Sequence, residues 1–322
     1  MRRLFLTHAL PPEGMTLLEE MGPVTLHPDA PRTAASILAG CEGADALVCM
    51  LVDPIDRALI EGLNVRVIGT MAVGTDNIDL VAATERGIPV VHTPGVLTEA
   101  SADLAWALIM AAARLTVEAD RFVREDRFRG WEPLGHLGFD LHGRTLGVLG
   151  FGRIGQAVAR RATGFGMNIL VHSRSPQPEA EEAVGARRVD LDTLLEASDV
   201  LTLHAPLNDA TRGLIDGEAI ARMKPHALFI NTARGGIVDE DALLGALDAG
   251  HLGGVGLDVF EGEPGPIDRR WLTAPRTVLS PHIGSATRGT RGAMATLVAQ
   301  GILDVLEGRR PAHLANPDVW AS

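Results

Sequence analysis

The chain has 322 residues, 46% apolar and 22% charged, enough for two ordinary domains with substantial cores. A formal charge of −12 and a pI near 5.4 argue against a nucleic-acid surface, which needs a basic face, yet they leave room for a local arginine pocket facing a small anion. Lys224 is the only lysine and sits in R-M-K-P, a helix-end pattern, so Schiff-base chemistry has one unpromising candidate.

From the N-terminus, strand-like runs R-L-F-L-T-H, A-L-V-C-M-L, V-R-V-I-G-T-M and I-P-V-V-H-T-P alternate with helical stretches such as D-P-I-D-R-A-L-I-E-G-L and N-I-D-L-V-A-A-T-E-R-G. Cys49, inside the second run, reads as a small hydrophobe, and with Cys41 it makes no metal-ligand or disulfide spacing. A long helix opens at Thr98, where Thr98 and Ser101 offer capping hydroxyls and Glu99 and Asp103 suit the positive end of the dipole. Its apolar run is interrupted too soon to span a bilayer, and the opening residues make no signal peptide. The expectation is a cytoplasmic protein with no membrane or nucleic-acid partner and no metal.

Residues 116–142 fit neither strand series. They are rich in Arg, Phe and Trp, as in R-F-V-R-E-D-R-F-R-G-W-E-P-L, and read either as a dimer arm or as a helix and loop covering the domain junction. A second alternating series begins at Arg144, with strands T-L-G-V-L-G, N-I-L-V-H-S, V-L-T-L-H-A, A-L-F-I-N-T-A, G-V-G-L-D-V-F and T-V-L-S-P-H. The chain then ends in one long helix from about 285 to 308. Two such series predict an α/β protein with two doubly wound, Rossmann-like parallel sheets.

Gly150, Gly152 and Gly155 form G-x-G-x-x-G directly after an apolar strand and directly before an amphipathic helix. In that context the first glycine permits a tight turn, the second lets the backbone approach a pyrophosphate, and the third lets helix and strand pack closely. About twenty residues on, where an acid would bind the ribose 2′-hydroxyl of NAD, stand Ser173, Arg174 and Ser175. An acid would repel a 2′-phosphate, whereas an Arg pairs with it, so the site reads as preferring NADP(H), with NAD(H) possible. The alternative is that Arg174 stacks on the adenine of NAD or faces solvent.

Three further strand ends carry chemistry: Arg234 in F-I-N-T-A-R-G-G-I-V-D-E, Asp258 and Glu263 in G-L-D-V-F-E-G-E-P, and His282 in V-L-S-P-H-I-G-S-A-T. Ligands of open α/β sheets bind at the C-terminal ends of strands, so an Arg, a carboxylate and a His could meet there over a nicotinamide.

With these motifs and M-A-V-G-T-D-N-I-D and T-P-G-V-L-T-E-A-S-A-D, the chain resembles the D-isomer-specific 2-hydroxyacid dehydrogenase family along nearly its whole length. Within it, P-H-I-G-S-A-T and the S-R-S strand end are most similar to glyoxylate/hydroxypyruvate reductases. The resemblance implies a discontinuous substrate-binding domain (1–97 with 285–322), a dinucleotide-binding domain (98–284), an active site in the cleft between them, and a homodimer. It implies Arg234, Glu263 and His282 as catalytic residues, with Arg234 polarising the 2-oxo acid and His282, paired with Glu263, as general acid. It places Gly150, Phe151, Gly152, Arg153, Ile154, Gly155, Ser173, Arg174 and Ser175 on the cofactor, with His204, Pro206, Thr211, Thr232, Ala233, Asp258 and Gly284. It places Leu51, Val73, Gly74 and Ser285 on the substrate, beside Arg234 and His282, which also meet the cofactor. One departure is Gly135 and His136 after W-E-P-L, where some relatives carry a Trp that reaches the partner's pocket.

The implied reaction is NADPH-dependent reduction of glyoxylate and hydroxypyruvate to glycolate and D-glycerate. The alternatives are another D-2-hydroxyacid dehydrogenase, acting on 3-phosphoglycerate or broadly on 2-oxo acids, or a nucleotide-sensing regulator on the same fold. No regulatory domain is read after His282. The lack of any tyrosine disfavours a lactate enzyme with a pocket tyrosine, and Glu263 stands where a formate dehydrogenase would have Gln.

Overall fold

The computed structural model describes residues 2–28 and 31–320. The chain divides into two compact units, Met1–Leu97 with Ser285–Ser322, and Thr98–Gly284.

In the first unit, strands β1 (Leu4–Leu6), β2 (Val24–Leu26), β3 (Ala46–Cys49), β4 (Val67–Thr70) and β5 (Val90–Val91) are linked by helices α1 (Pro12–Met21), α2 (Ala34–Gly40), α3 (Arg57–Gly62) and α4 (Leu80–Glu85). All pairings within the sheet are parallel and the strand order is β2-β1-β3-β4-β5, one of the two common doubly wound orders. β1, β3, β4 and β5 are buried throughout, as expected for strands covered on both faces.

The second unit opens with α5 (Thr98–Ala113) and α6 (Thr116–Arg124). It continues through β6 (Thr145–Leu149), α7 (Arg153–Gly164), β7 (Asn168–His172), α8 (Pro178–Ala183), β8 (Arg187–Arg188), α9 (Leu191–Ala197) and β9 (Val200–Leu203). It closes with α10 (Gly217–Arg222), β10 (Leu228–Asn231), α11 (Glu240–Asp248), β11 (Gly254–Leu257) and β12 (Thr277–Leu279). The parallel sheet runs β12-β11-β10-β9-β6-β7-β8, the dinucleotide-fold order with an added strand at one edge. Successive residues alternate between two buried clusters, so Phe229 joins one face while Leu228 and Ile230 join the other.

The final helix, α12 (Arg288–Leu306), is capped by the Thr287 side chain and returns to the first unit, where it packs against α1 and β4. Asn316 holds the tail there. Its amide oxygen accepts the Val90 N–H at 2.8 Å, and its amide nitrogen donates to Ile88 O at 3.0 Å and Thr84 Oγ1 at 3.1 Å.

Local chemistry explains most helix starts. Asp56, Asp79, Asp190, Asp216 and Asp239 each accept a backbone N–H in the first turn of α3, α4, α9, α10 and α11. Ser101, predicted as a capping candidate, lies instead inside α5 and is buried. Two strands escape the sequence pattern. β2 and β8 are edge strands of three and two residues, too short for any hydrophobic period to register. Beyond α6, residues 125–142 form no helix or strand and leave Trp131 84% and Leu134 81% exposed. Among the described residues no single helix is long and apolar enough to cross a membrane.

Candidate active site

The register of the second sheet sets the site. Leu149 pairs with His172 and Leu203, Asn231 with Leu203 and Leu257, and Leu257 with Leu279, so these residues form one row across the sheet. The next residue on each strand is Gly150, Ser173, His204, Thr232, Asp258 or Ser280. Most of the residues predicted to touch the cofactor therefore leave the sheet at the same level, at or just beyond its C-terminal edge.

The glycine turn lies at the switch point between β6 and β9. Gly150 has φ +94°, and a Cβ there would meet Ala205 N at 2.5 Å. A Cβ on Gly155 would fall 2.1 Å from Gly150 O, so strand and helix are as close as glycine allows. Around Gly152, by contrast, a Cβ would meet nothing within 4 Å. That glycine is the N-cap of α7, with no side-chain acceptor, where α3, α4, α9, α10 and α11 have an Asp. Open space beside the uncapped positive end of a helix fits a pyrophosphate. Phe151 is buried in the core and Ile154 packs against it, so these two offer backbone only, while Arg153 is exposed.

Farther along the row, burial pushes the His204 imidazole down from 6.5 to about 3 and keeps it neutral, with Nε2 2.9 Å from Thr202 Oγ1. Thr211 donates its hydroxyl to Pro206 O at 2.6 Å, closing the loop after β9. Thr232 Oγ1 is buried with no hydrogen-bond partner among the described residues, an orphaned polar group that also fits a ligand in this place.

At the end of β7, Arg174 is exposed and Ser173 is half-buried. The Ser173 hydroxyl donates to Ser175 O at 2.9 Å. This hydrogen bond closes the turn on either side of Arg174. Arg188 on β8, a residue the sequence reading passed over, donates to the same turn.

Two of the three catalytic candidates, His282 and Glu263, are in contact, and the third, Arg234, lies in the same unit. His282 Nδ1 lies 2.7 Å from Glu263 Oε2, and Glu263 Oε1 accepts the Phe260 N–H at 2.7 Å. His282 has a left-handed backbone, φ +53°, and its N–H donates to Asp258 O at 2.8 Å. The Asp258 side chain, 1% exposed, holds the rest of that loop: Oδ1 accepts Ser280 Oγ at 2.6 Å and Ile283 N at 2.8 Å, and Oδ2 accepts Gly284 N at 2.9 Å. Burial raises the Asp258 pKa, and these hydrogen bonds oppose the rise. Both Asp258 oxygens therefore accept hydrogen bonds from the loop that carries His282.

Arg234 extends from a turn pinned by buried Asn231, whose side chain accepts Ala233 N at 2.9 Å and donates to Arg234 O at 2.9 Å. Glu240 fastens the segment that carries Glu263. It accepts Glu261 N at 2.6 Å and Trp271 Nε1 at 2.8 Å, and burial raises its pKa. Ser280, Asn231, Glu240 and Arg188 are the supporting residues missed in the sequence. Ser280, Asn231 and Glu240 stand in quoted motifs, and for the first two only adjacency to a site residue could have flagged them.

The substrate-side residues belong to the first unit. Leu51 follows β3, and Val73 and Gly74 follow β4; the N–H groups of these last two have no acceptor among the described residues. Ser285 precedes α12. His136 has φ +49° and sets its ring edge-on to Phe122, 4.9 Å between centroids.

Residues 106–284 match the family described as D-isomer specific 2-hydroxyacid dehydrogenase, NAD binding domain. A glyoxylate reductase of Thermococcus litoralis is 46% identical over 99% of this chain and 98% of its own. The chain belongs to the D-isomer-specific 2-hydroxyacid dehydrogenase family.

Solved structures agree. One from Thermus thermophilus has a TM-score of 0.91 at 43% identity, covering 97% of this chain and 99% of that one. An NADPH-dependent glyoxylate/hydroxypyruvate reductase of Sinorhizobium meliloti, in complex with NADP and malonate, has a TM-score of 0.87 at 32% identity, covering 98% and 96%. As a D-2-hydroxyacid dehydrogenase the protein is an oxidoreductase that uses a nicotinamide cofactor.

Proposed function

We propose that this dehydrogenase reduces glyoxylate and hydroxypyruvate to glycolate and D-glycerate and prefers NADPH, with NADH usable. The carrying observation is the Glu263–His282 pair, 2.7 Å apart, on the same sheet edge as Arg234 and the glycine turn. The names of the Thermococcus and Sinorhizobium relatives support the substrate class, and the latter's NADP supports the cofactor.

In this reading the turn from Gly150 to Gly155 holds the pyrophosphate, Arg174 pairs with the 2′-phosphate, and Thr232 and Ala233 meet the nicotinamide end. Arg234, permanently charged, binds the 2-oxo acid and draws electron density toward its carbonyl oxygen. Val73 and Gly74 offer their N–H groups to the substrate carboxylate, with Leu51 and Ser285 on the substrate side. When bound, the nicotinamide supplies the hydride that reaches C2. Glu263 fixes the tautomer and tilt of His282 through Nδ1, which leaves Nε2 to deliver a proton to the carbonyl oxygen. In the reverse direction Nε2 takes the hydroxyl proton. The exposed Trp131 and Leu134 of the 125–142 segment suit a homodimer arm.

Initial rates with glyoxylate and hydroxypyruvate, each with NADPH and with NADH, test the proposal. Fast NADPH oxidation with either acid is expected. Fast rates with NADH alone would overturn the cofactor preference, and no turnover with either acid would turn the reading toward other 2-oxo acids or a nucleotide sensor.

A further inference from the structure

The turn Ser173–Ser175 is held from the neighbouring strand. Arg188 Nη1 donates to Ser173 Oγ at 3.2 Å, to Ser175 O at 3.1 Å and to Glu181 Oε1 at 3.3 Å, and Nη2 donates to Ser173 O. Ser173 O and Ser175 O are the carbonyls on either side of Arg174, so one planar guanidinium bridges both flanks of the residue assigned to the phosphate. A lysine ammonium has no fork with which to span them in this way.

Most of these acceptors are neutral. The carboxylate partner is Glu181, whose same oxygen also accepts Gln177 N at 2.9 Å. The two side chains are 31% and 13% exposed, so their charges are only partly screened by water. Arg188 brings a positive charge to a turn that itself contains no acid, and the paired Glu181 carboxylate offsets part of it.

We infer that Arg188 is a positioning residue for 2′-phosphate specificity, clamping the turn that presents Arg174 and adding a second positive charge to the site, with Glu181 moderating that charge. The inference rests on the NADPH reading above and deepens it.

Calorimetric titration with adenosine 2′,5′-bisphosphate and with AMP reads the 2′-phosphate directly, without turnover. Arg188→Ala should weaken the bisphosphate about tenfold or more while changing AMP less than about threefold, the size expected for lost charge-assisted hydrogen bonds. Arg188→Lys, which keeps the charge but not the fork, should fall between Ala and the native chain. Glu181→Gln should tighten the bisphosphate by about twofold or more, the opposite sign to a variant that merely damages the fold. The ratio of kcat/KM for NADPH over NADH should move in the same directions.

Equal losses for bisphosphate and AMP in Arg188→Ala would make the residue structural only and overturn the inference. An unchanged or weaker bisphosphate affinity in Glu181→Gln would overturn the charge balance. If the native protein fails to favour the bisphosphate over AMP, the cofactor reading falls and this inference with it. If the native protein favours it, and Arg174→Ala abolishes the preference while Arg188→Ala leaves it intact, only the role of Arg188 is lost.

Discussion

His282 Nδ1 and Glu263 Oε2 are 2.7 Å apart, and the second Glu263 oxygen is anchored by the Phe260 N–H, so the carboxylate cannot rotate away from the ring without losing a backbone bond. This geometry fixes which imidazole nitrogen is left for chemistry. His282→Ala should lower kcat by about 10²–10⁴-fold, the usual worth of a positioned general acid, with AMP and NADPH affinity nearly unchanged. Glu263→Gln keeps an acceptor for Phe260 but alters the partner of Nδ1, and should cost less than the His282 change. Stopped-flow single turnovers would read both, and a His282→Ala rate near the native one would refute the assignment.

Asp258 acts on the same histidine from beneath. Asp258→Asn replaces one acceptor oxygen by an amide NH2 donor, so either the Gly284 N–H or the Ile283 N–H loses its acceptor. The expected cost is about 1–3 kcal/mol, concentrated in the loop that holds the left-handed backbone of His282. Thermal melting and kcat should therefore fall together. Native kcat in a destabilised Asp258→Asn protein would show that the loop is not what places the histidine.

Two glycines of one motif should respond differently to the same added methyl. Gly155→Ala forces a Cβ to within 2.1 Å of Gly150 O and should destabilise the unit by about 1–3 kcal/mol. Gly152→Ala meets no protein atom within 4 Å, so its melting temperature should hold while NADPH affinity falls about tenfold or more, because the methyl occupies the room left for phosphate. Parallel melting curves and titrations separate the two. A Gly152→Ala protein that binds NADPH normally would remove the pyrophosphate from this turn.

His204 predicts part of the acid sensitivity. Burial lowers its pKa from 6.5 to about 3, so between those values the unfolded chain binds a proton that the folded chain refuses. The stability it contributes is fully present above about 6.5 and is lost as pH falls toward about 3. His204→Asn should therefore lose fewer degrees of melting temperature between about pH 7 and about pH 4.5 than the native chain does. Equal losses would mean that other groups carry the acid limb.

How much of this was legible depends on how local each signal is. The strands of both series show as apolar runs because they are buried on both faces, and the glycine motif is readable because turn, close approach and packing are imposed within six residues. The Asp helix starts are likewise written in the adjacent residues. Arg234, Glu263 and His282 could be picked out because each follows an apolar run that ends at a strand terminus.

Other features arise only when distant segments meet. β2 and β8 become strands because a sheet edge offers them partners, not because V-T-L or R-R carries a period. Arg188 reaches the Ser173 turn across the β7–β8 pairing, and Asp258 finds its acceptor role in residues 280–284 through the β11–β12 pairing. The sequence by itself determined the order of elements, the glycine turn and the kinds of reactive side chain at the strand ends, since those follow from short-range sterics and burial. Only the tertiary structure decided that the Ser173 hydroxyl closes its own turn, that Asp258 serves the histidine loop, and that one guanidinium grips both sides of Arg174. Hydrogen bonds are directional and short, so their partners exist only once sheet register has brought them within about 3 Å.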